Sequence, residues 1–215
     1  DDTARILGNL SPARVITLRR NYGQTAALDA AFKKARGEWI ITLDGDGQNP
    51  PHEIPKLLRV QEERGVDVVS GWRKERNDPH AKYFISRGAN LLRKIFIDDG
   101  IHDSGCTLKL YRRECFDDLD LFGEMHRFIP GMLRWQGFTI GEVVVEHRAR
   151  RYGTSKYNAL RIIKGLVDMI SVWFWRKYSA RPLHLFGGSG ILLTCTGGMM
   201  LLALGIARFF FGFAL

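Results

Sequence analysis

Two aspartates separated by one residue follow a short apolar stretch, and their spacing suits metal chemistry. Asp44 and Asp46 come directly after residues 38–43, which predict a buried strand. In open α/β sheets, ligands bind beyond the carboxyl ends of strands. Carboxylate oxygens at such an end suit Mg²⁺ or Mn²⁺, which keep open positions for phosphate oxygens. Gln48 can add a neutral oxygen, so we predict a divalent-metal site made by Asp44, Asp46 and Gln48.

A purely structural role is the alternative for these residues. The same stretch could be a polar turn before a helix that opens on Pro51, because proline is favoured at the first position of a helix. A bare pair of aspartates with this spacing is also common by chance. The longer pattern DGDGQNPP (residues 44–51) after a strand is more specific, and it favours the metal site.

The elements that would position this site alternate along the first 145 residues. Short apolar runs predict strands, and stretches with helical spacing separate most of them. This alternation indicates an α/β sheet with parallel strands and crossover helices. The predicted strands are residues 14–18, 38–43, 66–70, 107–111 and 138–145, and the predicted helices are residues 23–36, 51–64 and 81–96.

Composition excludes several classes of protein. Hydrophobic residues make up 45% of the 215 residues, which is enough for a core and argues against disorder. The three cysteines have no CxxC spacing, so neither a disulfide framework nor a zinc knuckle is expected. Residues 146–182 contain nine basic and two acidic residues, a local net charge of +7 out of +9 for the chain.

The basic region precedes a segment suited to a membrane. Residues 185–207 carry no charge and include six glycines, and about 20 apolar residues cross a bilayer. The alternative is a buried core helix. Residues 157–178 predict an amphipathic helix at the membrane interface, or else a helix packed on the soluble domain. Basic charge next to a span favours a cytoplasmic membrane surface over nucleic acid, so no nucleic-acid partner is expected.

Several motifs together resemble a known family. The segment RNYGQTAALDAAFKKARGEWIITLDGDGQNPPHEIPKLL resembles family 2 glycosyltransferases of the dolichol-phosphate mannose synthase type, a group that includes bacterial polyprenyl-phosphate glycosyltransferases. The resemblance runs from residue 1 to at least residue 182. It implies a GT-A (Rossmann-like) fold, a nucleotide-sugar donor and a polyprenyl phosphate acceptor. Further similar motifs are VSGWR (69–73), SR (86–87), DSGC (103–106), GEMHRF (123–128) and HRARRYGTSKY (147–157).

The resemblance also implies roles for individual residues. Donor-binding residues would be Arg19, Asp44, Asp46, Arg151, Ser155 and Lys156. Acceptor-phosphate residues would be Arg73, Arg87, His126 and Arg127. Catalytic residues would be Asp46, Asp103 and Glu124. The alternatives are solvated surface charges for Arg73 and Arg87 and ordinary capping charges for the cluster at Glu124. A serine position of the family is occupied by Leu91 here.

The same resemblance suggests how the chain is organised. Residues 1–3 resemble the tail of a family segment, so the first strands of the domain are expected to be missing. We expect a catalytic domain over residues 1–152, a loop and juxtamembrane amphipathic helix over 153–182, and transmembrane sequence over 183–215. Further spans are expected in the family, and a homo-oligomer could form through the membrane helices.

The expected activity is inverting transfer of a sugar to polyprenyl phosphate in a single displacement. It would take place at the cytoplasmic face of a bacterial inner membrane, or of the endoplasmic reticulum membrane in a eukaryote. Two alternatives remain open at this point. One is a family 2 transferase with a hydroxyl acceptor on a glycan or protein, and the other is a non-catalytic, membrane-anchored subunit that binds nucleotide sugars.

Overall fold

The computed structural model describes residues 2–74, 92–94, 96–148 and 160–212. The chain forms two compact units, Asp1–Ile170 and Ser171–Leu215. In order, the helices are α1 (Thr3–Gly8), α2 (Gln24–Phe32), α3 (Ile54–Arg64), α4 (Ile129–Trp135), α5 (Leu160–Tyr178) and α6 (Pro182–Phe211). The strands are β1 (Trp39–Thr42), β2 (Val68–Trp72), β3 (Lys109–Arg112) and β4 (Ile140–Val144). Short 3₁₀ turns lie at Pro51–Glu53, Arg113–Phe116 and Met125–Arg127.

The described strands form one mixed sheet in the order β1-β3-β2-β4. β3 runs antiparallel to both β1 and β2, whereas β2 and β4 are parallel. β1, β2 and β4 therefore point in the same direction, and their carboxyl ends share one edge of the sheet with the start of β3. This edge, called the carboxyl edge below, receives Asp44 after β1, Arg73 after β2 and the residues that precede Lys109 in β3.

One hydrophobic cluster of the core lies between the sheet and helix α3. It is built from buried side chains of α3, β2 and β3 and of the residues next to β3 and β4. These include Leu57, Val69, Leu108, Leu110 and Val145. Close packing extends to the carboxyl edge at Gly71. A Cβ atom there would lie 2.9 Å from the Leu108 carbonyl oxygen and 2.9 Å from Val145, so only glycine fits without a shift.

Two predictions from the sequence need correction. Residues 14–18 do not form a strand, and Val15 and Ile16 are 43% and 40% exposed. A strand needs a neighbour for its backbone hydrogen bonds, and none of the described strands pairs with this segment. The prediction of a parallel sheet is wrong for β3, whose chain enters from the carboxyl edge. Of the helix predicted at 81–96, residues 92–94 and 96 are described, and they are helical.

The second unit contains the apolar helix α6. Residues Pro182–Phe210 are long and apolar enough to cross a membrane, and none of their most apolar window is buried within the described structure. A water-soluble core helix would bury such a window. The exposure of side chains such as Leu183, Leu193, Leu201 and Phe209, at 71–83%, fits contact with lipid.

Asp67 lies at the opposite edge of the sheet, where β2 and β4 begin, and its contribution to stability can be tested. Its carboxylate accepts the Thr139 backbone N–H at 2.9 Å and the Thr139 hydroxyl at 2.7 Å. Burial alone would raise the pKa of Asp67, but these hydrogen bonds and the charge of Arg112 lower it overall. We expect Asp67→Ala to lower the free energy of unfolding by about 1–3 kcal/mol at neutral pH.

The pH dependence of this effect follows from the lowered pKa. The folded state favours the ionised carboxylate, so the stabilisation is complete above the unfolded pKa of about 3.9 and is lost as the pH falls through the folded pKa. In detergent, the melting temperature of Asp67→Ala should be lower than that of the wild type at pH 7, and the two melting temperatures should converge in acid. A difference that grows as the pH falls would contradict this assignment.

Candidate functional site

The Asp44–Gln48 turn leaves β1 at the carboxyl edge. Asp44, Asp46 and Gln48 are all half-buried, and Gly47 between the last two has a φ of +73°, which favours glycine. The Gln48 backbone N–H donates to Asp46 Oδ1 at 3.1 Å. The turn is joined to the chain beyond β4, where Arg148 N–H donates to the Gln48 carbonyl at 2.9 Å and the Gln48 amide nitrogen lies 3.4 Å from the Arg148 carbonyl oxygen.

These side chains fit a divalent cation bound together with a phosphate ligand. Mg²⁺ is usually held in proteins by one or two carboxylates, while substrate phosphates and waters fill the remaining positions. The half-buried side chains of Asp44 and Asp46 offer two carboxylates as metal ligands. The ligand atoms of the turn therefore suit Mg²⁺ or Mn²⁺. The Gln48 amide oxygen is the atom that could bind a metal, while the amide nitrogen faces Arg148 and His147.

A different group of side chains clusters more tightly. The ligand atoms of His52, Glu53 and Glu146 lie within 4.8 Å of one another. However, Lys56 Nζ lies 2.7 and 2.8 Å from the two Glu53 oxygens, and Arg148 Nε lies 2.9 Å from Glu146. Because cationic side chains already neutralise both carboxylates, this cluster is better explained as an ion-pair network than as a metal site.

The start of α2 connects to the site through two adjacent side chains. The Gln24 amide donates to Asp44 Oδ1 at 3.3 Å, and the Thr25 hydroxyl lies 2.7 Å from His126 Nδ1. Burial lowers the pKa of His126, and the charge of Arg127 lowers it further, although the charges of Glu124 and Asp44 act in the opposite direction. His126 is therefore predominantly neutral at pH 7.

Arg73 and Asp103 form a buried ion pair beside this turn. The Arg73 side chain donates to the two Asp103 oxygens at 2.6 and 2.9 Å, and its backbone N–H donates at 3.3 Å. Each side chain is 9% exposed, so Arg73 is not a solvated surface charge. Burial alone would lower the pKa of Arg73, but the hydrogen bonds to Asp103 raise it overall, and the charge of Asp44 contributes.

Glu124 and Arg127 form a second, more exposed pair. Arg127 Nη2 lies 3.1 Å from Glu124 Oε2, and a Cβ atom at Gly165 of α5 would lie 3.6 Å from Arg127 Nη1. Asp168, one turn further along α5, is partly buried, and both its burial and the charge of Glu124 raise its pKa. This part of α5 faces the Glu124–Arg127 pair. That contact agrees with the alternative prediction for residues 157–178, a helix packed on the soluble domain. Val167 in the same helix is exposed.

Of the remaining predicted site residues, Arg19 lies in the described part of the chain. Arg19 is exposed. Arg87, Arg151, Ser155 and Lys156 lie outside the described residues, so their roles stay predictions. Sequence reasoning missed four side chains that reach the site or its loops: Gln24, Thr25, Lys109 and Glu142. For Gln24 and Thr25 a signal existed, because they open the predicted helix after Gly23. Lys109 and Glu142 had none, since each sits in an ordinary strand.

The lowered pKa of His126 can be measured directly. We expect its imidazole to take up a proton only below the ordinary midpoint of about 6.5, because burial disfavours the charged form. The measurement is NMR titration of the protein in detergent with ¹³C-labelled histidine, and the His126 signal is identified by its loss in His126→Gln. A midpoint above 6.5 would contradict the burial of His126 described here.

Two solved structures with a similar fold are sugar-phosphoglycerate synthases. Glucosyl-3-phosphoglycerate synthase from Mycobacterium tuberculosis, crystallised with Mn²⁺ and UDP-glucose, matches 75% of this chain and 56% of its own with a TM-score of 0.56 and 15% identity. Mannosyl-3-phosphoglycerate synthase from Rubrobacter xylanophilus matches 73% of this chain and 52% of its own with a TM-score of 0.52 and 16% identity. At these identities the similarity concerns the fold alone, and it confirms the predicted GT-A fold.

Sequence relatives are more similar. Dodecaprenyl-phosphate galacturonate synthase from Rhizobium johnstonii is 42% identical over 202 residues, which cover 93% of this chain and 60% of the relative. Undecaprenyl-phosphate 4-deoxy-4-formamido-L-arabinose transferase from Pseudomonas fluorescens is 37% identical over 202 residues, which cover 94% of this chain and 58% of the relative. This chain thus spans about three fifths of the length of these curated relatives. The profile of Glycosyl transferase family 2 matches residues 1–120. The chain belongs to glycosyl transferase family 2.

Proposed function

We propose that the protein transfers a sugar from a nucleoside-diphosphate sugar to a polyprenyl phosphate. The observation that carries this proposal is the meeting of two opposite groups at the carboxyl edge. The Asp44–Asp46 turn follows β1 and offers carboxylates for a metal-bound diphosphate. The buried Arg73 guanidinium follows β2 at the same edge of the sheet, where β3 lies between the two strands. The names of the sequence relatives support a polyprenyl phosphate as the acceptor.

On the donor side, Asp44 and Asp46 would bind a divalent cation, either Mg²⁺ or Mn²⁺, with Gln48 as a further ligand. When bound, the cation neutralises the charge that develops on the leaving diphosphate. Gln24 holds one Asp44 oxygen at 3.3 Å, which orients this carboxylate before the donor arrives. Arg19, Arg151, Ser155 and Lys156 are proposed donor contacts on the basis of the family motifs.

On the acceptor side, the proposal needs positive charge and no strong base. A phosphate monoester is already anionic at neutral pH, so it must be held near another anion rather than deprotonated. Both oxygens of Asp103 accept hydrogen bonds from Arg73, which makes this carboxylate a poor candidate for a free base. This engagement favours a phosphate over a hydroxyl acceptor. His126, Arg127 and Arg87 are proposed to complete the acceptor site with Arg73, and Glu124 to orient Arg127.

The proposed reaction is a single in-line displacement. An oxygen of the polyprenyl phosphate forms a bond to the anomeric carbon while the bond from that carbon to the diphosphate breaks. The electron pair of the broken bond leaves with the nucleoside diphosphate, and the configuration at the anomeric carbon inverts. Holding both anions in this geometry supplies much of the acceleration, because it converts an encounter of two ligands into a reaction within one complex.

Membrane attachment would keep the enzyme near its acceptor. Helix α6 is suited to span a bilayer, and α5 ends in aromatic and basic residues that are typical of an interface. We propose that residues 1–152 form the catalytic domain, residues 153–182 the juxtamembrane segment and residues 183–215 the membrane segment. The basic residues before α6 favour a cytoplasmic catalytic domain. Assembly into a homo-oligomer through the membrane helices is part of the same proposal.

The metal assignment predicts the effect of Asp46→Asn. We expect kcat/KM to fall at least about a hundredfold, because a neutral amide binds a divalent cation poorly and several kcal/mol of charge stabilisation are lost. Treatment with EDTA should abolish the activity of the wild type, and Mn²⁺ or Mg²⁺ should restore it. The measurement is transfer of radiolabelled sugar into organic-extractable lipid by the full-length protein in membranes.

The matched control for this change is Asp118→Asn, which neutralises an exposed carboxylate in the segment after β3 and the 3₁₀ turn that follows it. It should retain wild-type kinetics. Full activity of the wild type in EDTA would refute the metal assignment. Binding of the donor without any turnover would instead support a non-catalytic subunit.

The acceptor assignment predicts the effect of Arg73→Lys. The ammonium keeps the charge but cannot reproduce the paired hydrogen bonds of the guanidinium. We expect kcat/KM for a short polyprenyl phosphate to fall about ten- to hundredfold while KM for the nucleotide sugar changes little. The measurement is steady-state kinetics in which donor and acceptor are varied separately.

Arg112→Lys is the matched control, because Arg112 contacts Asp67 at the opposite edge of the same sheet. If Arg73→Lys weakens the donor and leaves the acceptor kinetics intact, Arg73 belongs to the donor site. If a glycan or protein hydroxyl is glycosylated and polyprenyl phosphate is not, the acceptor proposal is wrong.

A further inference from the structure

Two charged side chains outside the recognised motifs hold the loop that carries Asp103. The first is Glu142, in the middle of β4, whose side chain is 14% exposed. Its Oε1 atom accepts the backbone N–H of His102 at 2.7 Å and that of Asp103 at 3.4 Å. Its Oε2 atom lies 2.7 Å from His102 Nδ1. One carboxylate therefore fixes two consecutive amides and an imidazole on the same side of the loop.

The second side chain is Lys109, the first residue of β3, which is 5% exposed. Its ammonium donates to the Ser104 carbonyl oxygen at 3.2 Å and to the carbonyl oxygen of Cys106. Lys109 lies opposite Thr42 of β1 and Ser70 of β2, where these strands approach the carboxyl edge. Burial lowers the pKa of Lys109, and the contacts of its amino group with two backbone carbonyl oxygens tie the start of β3 to the loop.

The two side chains act on complementary parts of the same backbone. Glu142 binds the amide groups at residues 102 and 103, and Lys109 binds the carbonyl groups at residues 104 and 106. Between these contacts Asp103 receives three hydrogen bonds from Arg73. Displacement of the loop would move the Asp103 carboxylate and the guanidinium bound to it. A misplacement of about 1 Å in an active site can cost about a hundredfold in rate.

We propose that Glu142 and Lys109 are positioning residues that together fix the Asp103–Arg73 pair for the acceptor anion. This inference rests on the proposed function, since it assigns the pair to the acceptor side. Neither residue touches the acceptor in this proposal. Each acts through the loop, so its loss should affect the acceptor kinetics selectively.

Asp67 provides a matched comparison for Glu142. Both are carboxylates on or beside the parallel β2–β4 pair, and both accept a backbone N–H and bind a side chain of the same residue. They differ in position, because Asp67 lies at the edge opposite the site. Comparing Glu142→Ala with Asp67→Ala therefore separates two effects. One is the loss of the hydrogen bonds that hold the loop at the site, and the other is a general loss of stability.

The experiment is steady-state transfer by the full-length protein in membranes, with a short polyprenyl phosphate as acceptor and with donor and acceptor varied separately. For Glu142→Ala we expect acceptor kcat/KM to fall about ten- to hundredfold, with donor KM within about twofold of wild type. Asp67→Ala should lower the melting temperature without this selective change. Glu142→Gln keeps a carbonyl oxygen for the loop amides, and it should recover most of the acceptor kcat/KM.

Lys109→Met gives an independent measurement, because methionine has a similar length but no donors. It should reduce acceptor kcat/KM in the same selective way. Since both side chains hold one loop, the Glu142→Ala/Lys109→Met double variant should lose less than the sum of the two single effects expressed as free energies. Additive losses would indicate that the two residues act on different structures, and they would overturn the proposed joint role.

The inference is also wrong if Glu142→Ala behaves like Asp67→Ala in an active protein. It is equally wrong if donor and acceptor kinetics decline together, or if Glu142→Gln is no better than Glu142→Ala. A wild-type protein that transfers no sugar to polyprenyl phosphate overturns the proposed function itself, and this is seen before any variant is made. The two failures are therefore distinguishable.

Discussion

The direction of β3 is the constraint on which the site depends. Because β3 runs antiparallel to both neighbours, the loop that precedes it arrives at the edge where β1 and β2 end. This arrangement brings Asp103 to Arg73 and places Lys109 beneath the same loop. Had β3 been parallel, its preceding loop would lie at the opposite edge, beside Asp67, and no side chain of that loop could reach the Asp44 turn.

Several polar and charged side chains at this edge have partners within the protein. Arg73 binds Asp103, Gln24 holds Asp44, and Glu142 neutralises the partial positive charge of loop amides. A preorganised polar site of this kind needs little rearrangement when an anion enters, which is where enzymes gain much of their electrostatic stabilisation. The α2 start contributes from the other side, where Thr25 fixes one nitrogen of a predominantly neutral His126.

Local parts of this site could be predicted from sequence. The Asp44–Gln48 turn follows an apolar stretch and precedes Pro51, so its position after a strand can be inferred from adjacent residues. The interactions that organise it are not local. Thr25 and His126 are 101 positions apart, and Glu142 lies 39 positions from Asp103. Their proximity follows from strand order and direction, which periodicity does not encode. Residues 14–18 show the converse error, since apolar and β-branched residues predict a strand even without a partner to pair with.

The length of α6 has a mechanical consequence in a bilayer. Its 30 residues extend about 45 Å at about 1.5 Å per residue, whereas the hydrocarbon core of a typical bilayer is about 30 Å thick. The helix is therefore too long to stand upright with its whole length in lipid. Hydrophobic mismatch of this size is relieved by tilting or by extension of the helix ends into the headgroup layer. A thinner bilayer would therefore leave more of this helix to be accommodated by tilting or by its ends, and a thicker one less.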